Sequence, residues 1–272
     1  MLLPIGRVAE ALEAQTHHSL EPLDDRDLPS EIVPLTHAMN SLLIRLKEAL
    51  LAQRLFIADA AHQLRTPLTA LKLHTDEAAR EPDPRRLRPL IAELQKAADR
   101  AVRLSSQLLA LARADPSAGL TERRQVDLRQ AVVETAGHWL PTALAQGIDL
   151  GFDAIEGPPI EVAADPLLLA EAVNNLIDNA IKYGRPDGRI TVAVGSARGR
   201  AWFSILDDGP GIPASEHQRV LERFQRLDVA RPPGAAGAAS REAPTGSGLG
   251  LAIVSEIALS HAGQVTLAAA PE

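Results

Sequence analysis

Cysteine is absent from this 272-residue chain. Its absence excludes disulfides, thiolate nucleophiles and cysteine-ligated zinc, and it suits a reducing compartment. A basic surplus is also missing. The 28 Lys and Arg residues are outnumbered by 35 Asp and Glu, giving a net charge of −7 and a pI near 5.7. A dominant nucleic-acid role needs a basic surface, so the chain is not expected to bind nucleic acid. No apolar run approaches the ~20 residues of a membrane span, and the opening "MLLPIGRV" is too short for a signal peptide. The eight histidines show no metal-ligand spacing. The adjacent pair His17–His18 would point to different faces of a helix.

What is present is 46% hydrophobic, enough for packed cores in about two to three domains. Residues 4–16 read as a short amphipathic helix with Ile5, Val8, Ala9 and Leu12 on one face. The connector "LEPLDDRDLPS" follows, and Ser30 and Glu31 form a helix-start signal. From there Leu35, Met39, Leu42, Leu46 and Ala49 keep heptad spacing. Gln53 interrupts the stripe, and Phe56 and Ala60 carry it to His62. Glycine is absent between Glu31 and Pro67, so a continuous helix is expected. A second helix is expected over 85–113 on Leu87, Ile91, Leu94, Ala98, Ala101, Leu108 and Ala112, with "REPDPRR" as the turn between. One seam per helix is poorly buried in an isolated hairpin, so pairing with a second copy into a four-helix bundle is expected.

Periodicity lapses in "ADPSAGLTERR" (114–124), which reads as a linker. Beyond it the pattern is α/β, with helices laid on a mixed sheet. A helix is expected over about 127–146, then a strand "IDLGFD". Asp165–Pro166 reads as cap and first helical position of a helix ending at Tyr183. "RITVAVGSARGRAWFSILDD" alternates twice around a turn, which signals a hairpin. The Pro-, Gly- and Ala-rich stretch 213–247, with a short helical piece at 216–227, reads as a lid or a disordered loop. A helix over 249–260 and a strand "GQVTLAA" complete the pattern.

Three stretches carry candidate chemistry. In "EAVNNLIDNAIKY", Glu171, Asn175, Asn179 and Lys182 share one helix face, opposite Val173, Leu176, Ile177 and Ala180. Taken alone, that polar stripe reads as a solvated face. "DDGPGIP" (207–213) ends a strand with Gly209 and Gly211, which permit a sharp turn and close ligand approach. "GSGLGLAIV" opens a helix with Gly246, Gly248 and Gly250, a start suited to phosphate. Each match alone is commonplace, but their order in one α/β domain is specific. Together they resemble the ATP-binding domain shared by gyrase, the Hsp90 chaperones and histidine kinases. "HQLRTPL" resembles the phosphoacceptor motif of two-component sensor histidine kinases, and "ERFQR" (222–226) resembles that family's aromatic lid motif. Residues 4–50 look like the HAMP signal-relay module.

The resemblance implies an α + α/β fold: a helical hairpin forming a dimeric four-helix bundle, then an α/β sandwich ATP-binding domain of the Bergerat type. It implies a relay over 1–50, a phosphotransfer hairpin over 51–116 and a catalytic domain over 125–272. The final strand of relatives is absent after "LAAAPE". It implies a homodimer that uses ATP and Mg²⁺, phosphorylates His62 and passes the phosphoryl group to a response regulator. The membrane attachment it implies lies in a segment preceding residue 1, so the chain is expected to be the soluble cytoplasmic portion of a bacterial inner-membrane protein.

By the same resemblance, Thr66 would hold the water that dephosphorylates the regulator. Gln63 stands where the family usually carries an acid, and Asp59 is a conceivable substitute base. Asn179 would ligate Mg²⁺. Asn175, Lys182 and Arg223 or Arg226 would contact phosphates, and Asp207 would accept from the adenine amino group. Tyr183 would pack on the nucleotide, Phe224 would anchor the lid, and Gly209, Gly211, Gly246, Gly248 and Gly250 would border the ligand. An exposed imidazole is largely neutral at pH 7 and can attack phosphorus. Pro67 has no N–H for the carbonyl of Gln63, so the helix is weakened beside the acceptor. Two other functions remain open: an ATPase of the same superfamily with Glu171 activating water, and a non-catalytic signalling scaffold.

Overall fold

The computed structural model describes residues 21–23, 32–114, 122–153, 157–223, 225 and 248–269. The expected helix 4–16, the Ser30–Glu31 start and most of the segment 213–247 lie outside these residues. The chain divides into two compact units, Met1–Thr69 and Ala70–Glu272.

In the first unit the dominant element is the longest helix, α1 (Val33–Arg80, 48 residues), whose last turns belong to the second unit. It is continuous up to Pro67, as the lack of glycine predicts, and it also runs on through Pro67, so the missing N–H there does not break it. Its heptad stripe is uncovered within one chain: Leu35 is 58% exposed, Leu42 64% and Leu46 48%. Among the described residues the connector is tied to α1 through Asn40. Asn40 accepts from the backbone N–H of Leu23 at 2.7 Å and donates to its carbonyl at 3.0 Å. Leu23 itself is buried.

The second unit begins with the end of α1, a turn at 81–83 and α2 (Pro84–Ala114). Asp83 caps α2 by accepting from Arg85 N at 2.9 Å. The buried stripe of α2 is not the expected seam. It is Ala97, Leu104, Gln107, Ala110, Leu111 and Ala114, which packs against two later helices, whereas Ile91 of the expected seam is exposed. Choosing one seam by period alone overlooks a helix that presents two.

Two small sheets follow. The first pairs β1 (Arg124–Asp127) antiparallel with β3 (Glu161–Ala164). The second has the order β2 (Asp149–Asp153), β4 (Arg189–Ala197), β5 (Arg200–Asp207). In it β2–β4 is parallel and β4–β5 antiparallel, which makes the mixed sheet expected. The four-residue strands β1 and β3 carry too little alternation to stand out in sequence. The expected helix 127–146 is two helices, α3 (Leu128–Gly137) and α4 (Leu140–Ala145). Pro141, which lacks an N–H, sits in the first turn of α4, where none is needed.

α5 (Pro166–Tyr183) and α6 (Gly250–Ser260) complete the unit. The expected helical piece in the lid is two 3₁₀ turns, Ala214–Glu216 and Arg219–Leu221. The expected strand "GQVTLAA" does not form: residues 263–269 have no sheet partner among the described residues. Val265 and Leu267 alternate half-buried with exposed neighbours, so the pattern is present without the ladder.

One face of α3 and α5 supplies Val132, Ala136, Val173, Ile177 and Ala180 to a core shared with Ile190, Val192 and Val194 of β4. Asp165 fixes the start of α5. Its carboxylate accepts from Leu167 N at 2.9 Å, Leu168 N at 3.3 Å and Glu122 N at 3.3 Å. Its own N–H donates to His261 Nε2 at 2.9 Å, past the end of α6. Ile177 is fully buried. Ile177→Ala should lower the stability of this unit by about 2–5 kcal/mol, read as a fall in the thermal midpoint. A midpoint within a degree of the parent's would contradict this core.

Candidate functional site

His62 is exposed on α1, five residues before Pro67. Thr66, one turn further along the helix, and Asp59, one turn earlier, are also exposed, and Gln63 is half-buried. The imidazole is therefore open to solvent, as a group meeting a macromolecular or nucleotide partner must be.

In the second unit, α5 and the start of α6 build a cradle. A Cβ added at Gly250 would lie 3.2 Å from Asn179 Nδ2, 3.4 Å from Asn179 Oδ1 and 3.4 Å from Asn175 Oδ1. A side chain at this position would press on both carboxamides, so glycine suits the close approach of the α6 backbone. Gly248, just before it, adopts φ = 69°. At the other end of α5, Asp207 accepts from Gly209 N at 2.9 Å, folding the turn after β5 back on itself. A Cβ at Gly209 would meet Asp207 Oδ1 at 2.5 Å and the carbonyl of Tyr183 at 3.0 Å. Gly211 follows with φ = 71°. Asn175, Asn179, Tyr183, Asp207, Gly209 and Gly250 thus lie along one line from the middle of α5 to its C-terminus. The carboxamide oxygens suit a divalent cation and the backbone N–H groups at the α6 start suit the phosphates that carry it. Phe224, Arg226 and Gly246 lie outside the described residues. Arg223 donates to Glu256 of α6 at 2.8 Å.

The polar stripe of α5 is solvated only in part: Lys182 is exposed and Glu171 and Asn179 are half-buried, but Asn175 and the neighbouring Asp178 are buried. Asn175 is 3% exposed and Asp178 8%. Burying amides and carboxylates requires partners, and they come from α2. Gln107 donates to Asn175 at 2.6 Å, while Arg103 pairs with Asp178, which also holds Lys182. Sequence reasoning missed Arg103, Gln107 and Asp178. The i,i+4 spacing of Asp178 and Lys182 was a legible signal; the two α2 residues had none, because their role exists only through tertiary contact. Burial pushes the Glu171 carboxyl above the usual carboxylate range, aided by the charge of Asp178 and opposed by the Asn175 hydrogen bond and by Arg103.

These elements define a nucleotide-binding class. Residues 164–272 match the family described as histidine kinase-, DNA gyrase B- and HSP90-like ATPase. Residues 52–117 match the His Kinase A (phospho-acceptor) domain, and residues 2–48 match the sensor protein PhoQ-like HAMP domain. With these three modules in this order, the chain belongs to the two-component sensor histidine kinases. It is 35% identical over 261 residues to sensor protein QseC of Escherichia coli (strain K12), covering 96% of this chain and 54% of that protein. The chain thus spans about half the length of the curated relatives it matches. In fold it is similar to the Acinetobacter baumannii histidine kinase AdeS, with 20% identity and a TM-score of 0.53 over 73% of this chain and 86% of that one. It is also similar to histidine kinase ThkA in complex with response regulator protein TrrA, with 19% identity and a TM-score of 0.53 over 66% of this chain and 53% of that one. No helix among the described residues is long and apolar enough to cross a membrane.

The raised Glu171 carboxyl sets a pH prediction. A folded-state pKa above the unfolded one means the folded chain binds the proton more tightly, so its stability falls as pH rises through that interval. Glu171→Gln keeps an acceptor for Asn175 and removes the titration. Its thermal midpoint should rise relative to the parent's as pH climbs through and above the ordinary carboxylate range, and level off once the parent's Glu171 is ionised. A difference independent of pH would contradict the assignment.

Proposed function

We propose that the chain uses ATP to phosphorylate His62 and passes the phosphoryl group to an aspartate of a response-regulator receiver domain. One observation carries this reading. An exposed imidazole sits on an uninterrupted helix, in the same chain as the carboxamide–glycine cradle of α5 and α6. A neutral ring nitrogen of His62 attacks the γ-phosphorus, the bond from that phosphorus to the β–γ bridging oxygen breaks, and ADP leaves. The proton on the other ring nitrogen is lost. Gln63 accepts a hydrogen bond but cannot take that proton at pH 7, which leaves it to water or to the exposed Asp59. The phosphoryl group then moves to the receiver carboxylate, and Thr66 orients the water that later hydrolyses the acyl phosphate.

Asn175 and Lys182 would contact phosphates, with Arg226 reaching in from the lid. Asp207 would accept from the adenine amino group, Tyr183 would pack on the nucleotide, and Phe224 would anchor the lid. Gly246, Gly248 and Gly250 would border the triphosphate, with Gly209 and Gly211 lining the adenine end. Magnesium bound to the triphosphate supplies charge neutralisation, and Asn179 Oδ1 is the hard oxygen ligand that the chain offers it. The chain's own task is positioning.

The organisation we propose is a signal relay over 1–50, a phosphotransfer hairpin over 51–116 and a catalytic domain over 125–272. The exposed stripe of Leu35, Leu42 and Leu46 supports pairing with a second copy. We place the chain on the cytoplasmic side of a bacterial inner membrane, attached through a segment preceding residue 1. The share of QseC that the chain leaves unmatched supports this placement.

An ATPase reading is favoured by one contact, Glu171 Oε1 accepting from Asn175 Nδ2 at 3.0 Å, which sets a carboxylate beside the cradle to activate water. With [γ-³²P]ATP the parent should acquire an acid-labile label that falls to background in His62→Gln. Labelling at parental strength in that variant, with phosphate release lost in Glu171→Gln, would replace the kinase by the ATPase. Asn179→Ala should lose magnesium-dependent ATP binding. Thr66→Ala should keep the label while dephosphorylating the regulator roughly tenfold or more slowly, and an unchanged rate would remove the role of Thr66.

A further inference from the structure

The polar face of α5 is closed by α2. Gln107 Nε2 donates to Asn175 Oδ1 at 2.6 Å. Asn175 Nδ2 donates to the Glu171 carbonyl at 2.8 Å and to Glu171 Oε1 at 3.0 Å. The sense of this carboxamide is forced. A backbone carbonyl can only accept, so the nitrogen faces Glu171 and the oxygen faces α2. Three residues on, Asp178 divides its oxygens between Arg103 of α2 and Lys182 of its own helix. Arg103 also lies over the Trp139 ring, 5.5 Å from its centroid, and Trp139 Nε1 donates to Asn174 Oδ1 at 2.9 Å. Between these groups lies a cavity of about 440 Å³ lined by Arg103, Gln107, Trp139, Glu171, Asn175 and Asp178.

We infer that α2 competes with nucleotide for the polar face of α5, with Gln107 as a positioning residue that holds Asn175 in a sense a triphosphate cannot use and Arg103 as the residue that anchors α2 to Asp178. The inference rests on the nucleotide reading above. Phosphate oxygens only accept, yet Asn175 turns its donors to Glu171 and its acceptor outward to Gln107. Lys182, a donor suited to phosphate, spends its ammonium on Asp178. To meet a triphosphate, Asn175 must turn its nitrogen outward. It then opposes the Gln107 N–H with a donor, at a site where an unmatched buried group is costly. That turn loosens α2. Linkage makes the effect reciprocal: the factor by which docked α2 weakens nucleotide is the factor by which nucleotide weakens α2 docking.

The test uses the whole chain and the Mg²⁺ complex of a non-hydrolysable ATP analogue, followed by calorimetry. Gln107→Leu removes the donor facing Asn175, and Gln107→Glu keeps the shape while setting acceptor against acceptor. Either variant, and Arg103→Met, should bind the analogue about 3- to 10-fold more tightly than the parent, a change of about 0.7–1.4 kcal/mol. Trp202→Phe leaves Trp139 as the one indole of the chain's two. In that background saturating analogue should shift Trp139 emission, and Arg103→Met should show much of the shift before nucleotide is added. Affinities equal to or weaker than the parent's in the Gln107 variants, with Trp139 emission unmoved by nucleotide, would overturn the competition. A parent that binds no nucleotide would instead overturn the nucleotide reading itself, and the competition with it.

Discussion

The second unit rests on how α5 takes polar side chains out of water. Asn175 and Asp178 are buried on one side of this helix, and Val173, Ile177 and Ala180 are buried on the other. The apolar side is satisfied by the sheet through dispersion and water release, forces that need no direction. The polar side cannot be satisfied that way, because a buried amide or carboxylate without a partner costs more than its neighbours' packing returns. It needs groups of fixed geometry, which α2 supplies. This requirement binds α2 to the α/β layer, brings Trp139 and Asn174 into the same network and sets the direction each carboxamide faces.

The fold was legible where one period or one turn signal decided the outcome. The long α1 was legible because a heptad rhythm from Leu35 to Ala60, interrupted at Gln53, runs without glycine. The β4–β5 hairpin follows from two alternating runs around a Gly-containing turn. The start of α5 follows from Asp165 and Pro166, since the carboxylate caps the helix and the ring occupies a position that needs no N–H. Legibility ended where a residue had two competing satisfactions. The α2 sequence offers two apolar stripes, and period alone does not say which is buried. "GQVTLAA" alternates as a strand does, but no ladder forms for it among the described residues, because pairing depends on an edge being offered.

The candidate site was legible in its small residues and less so in its polar ones. Gly209 and Gly250 announce close approach, and the backbone does come close there. Asn175 and Asn179 stood out because carboxamides repeated at i,i+4 make a poor core stripe. Read alone that stripe suggested a solvated face, and the buried Asn175 corrects this. Arg103 and Gln107 were invisible, since an Arg and a Gln on a long helix normally face water. Only the arrival of α5 gives them a role, a contact more than sixty residues distant in sequence.

The tie between Asn40 and Leu23 carries a consequence for how motion enters the long helix. Both hydrogen bonds run from one carboxamide to the two ends of one peptide unit's residue, so neither can be lengthened alone. A small axial slide strains the pair together, and a twist of α1 by one residue, about 100°, swings Asn40 clear and breaks both at once. The two bonds hold together or break together, so the register between Leu23 and α1 is fixed by a single side chain.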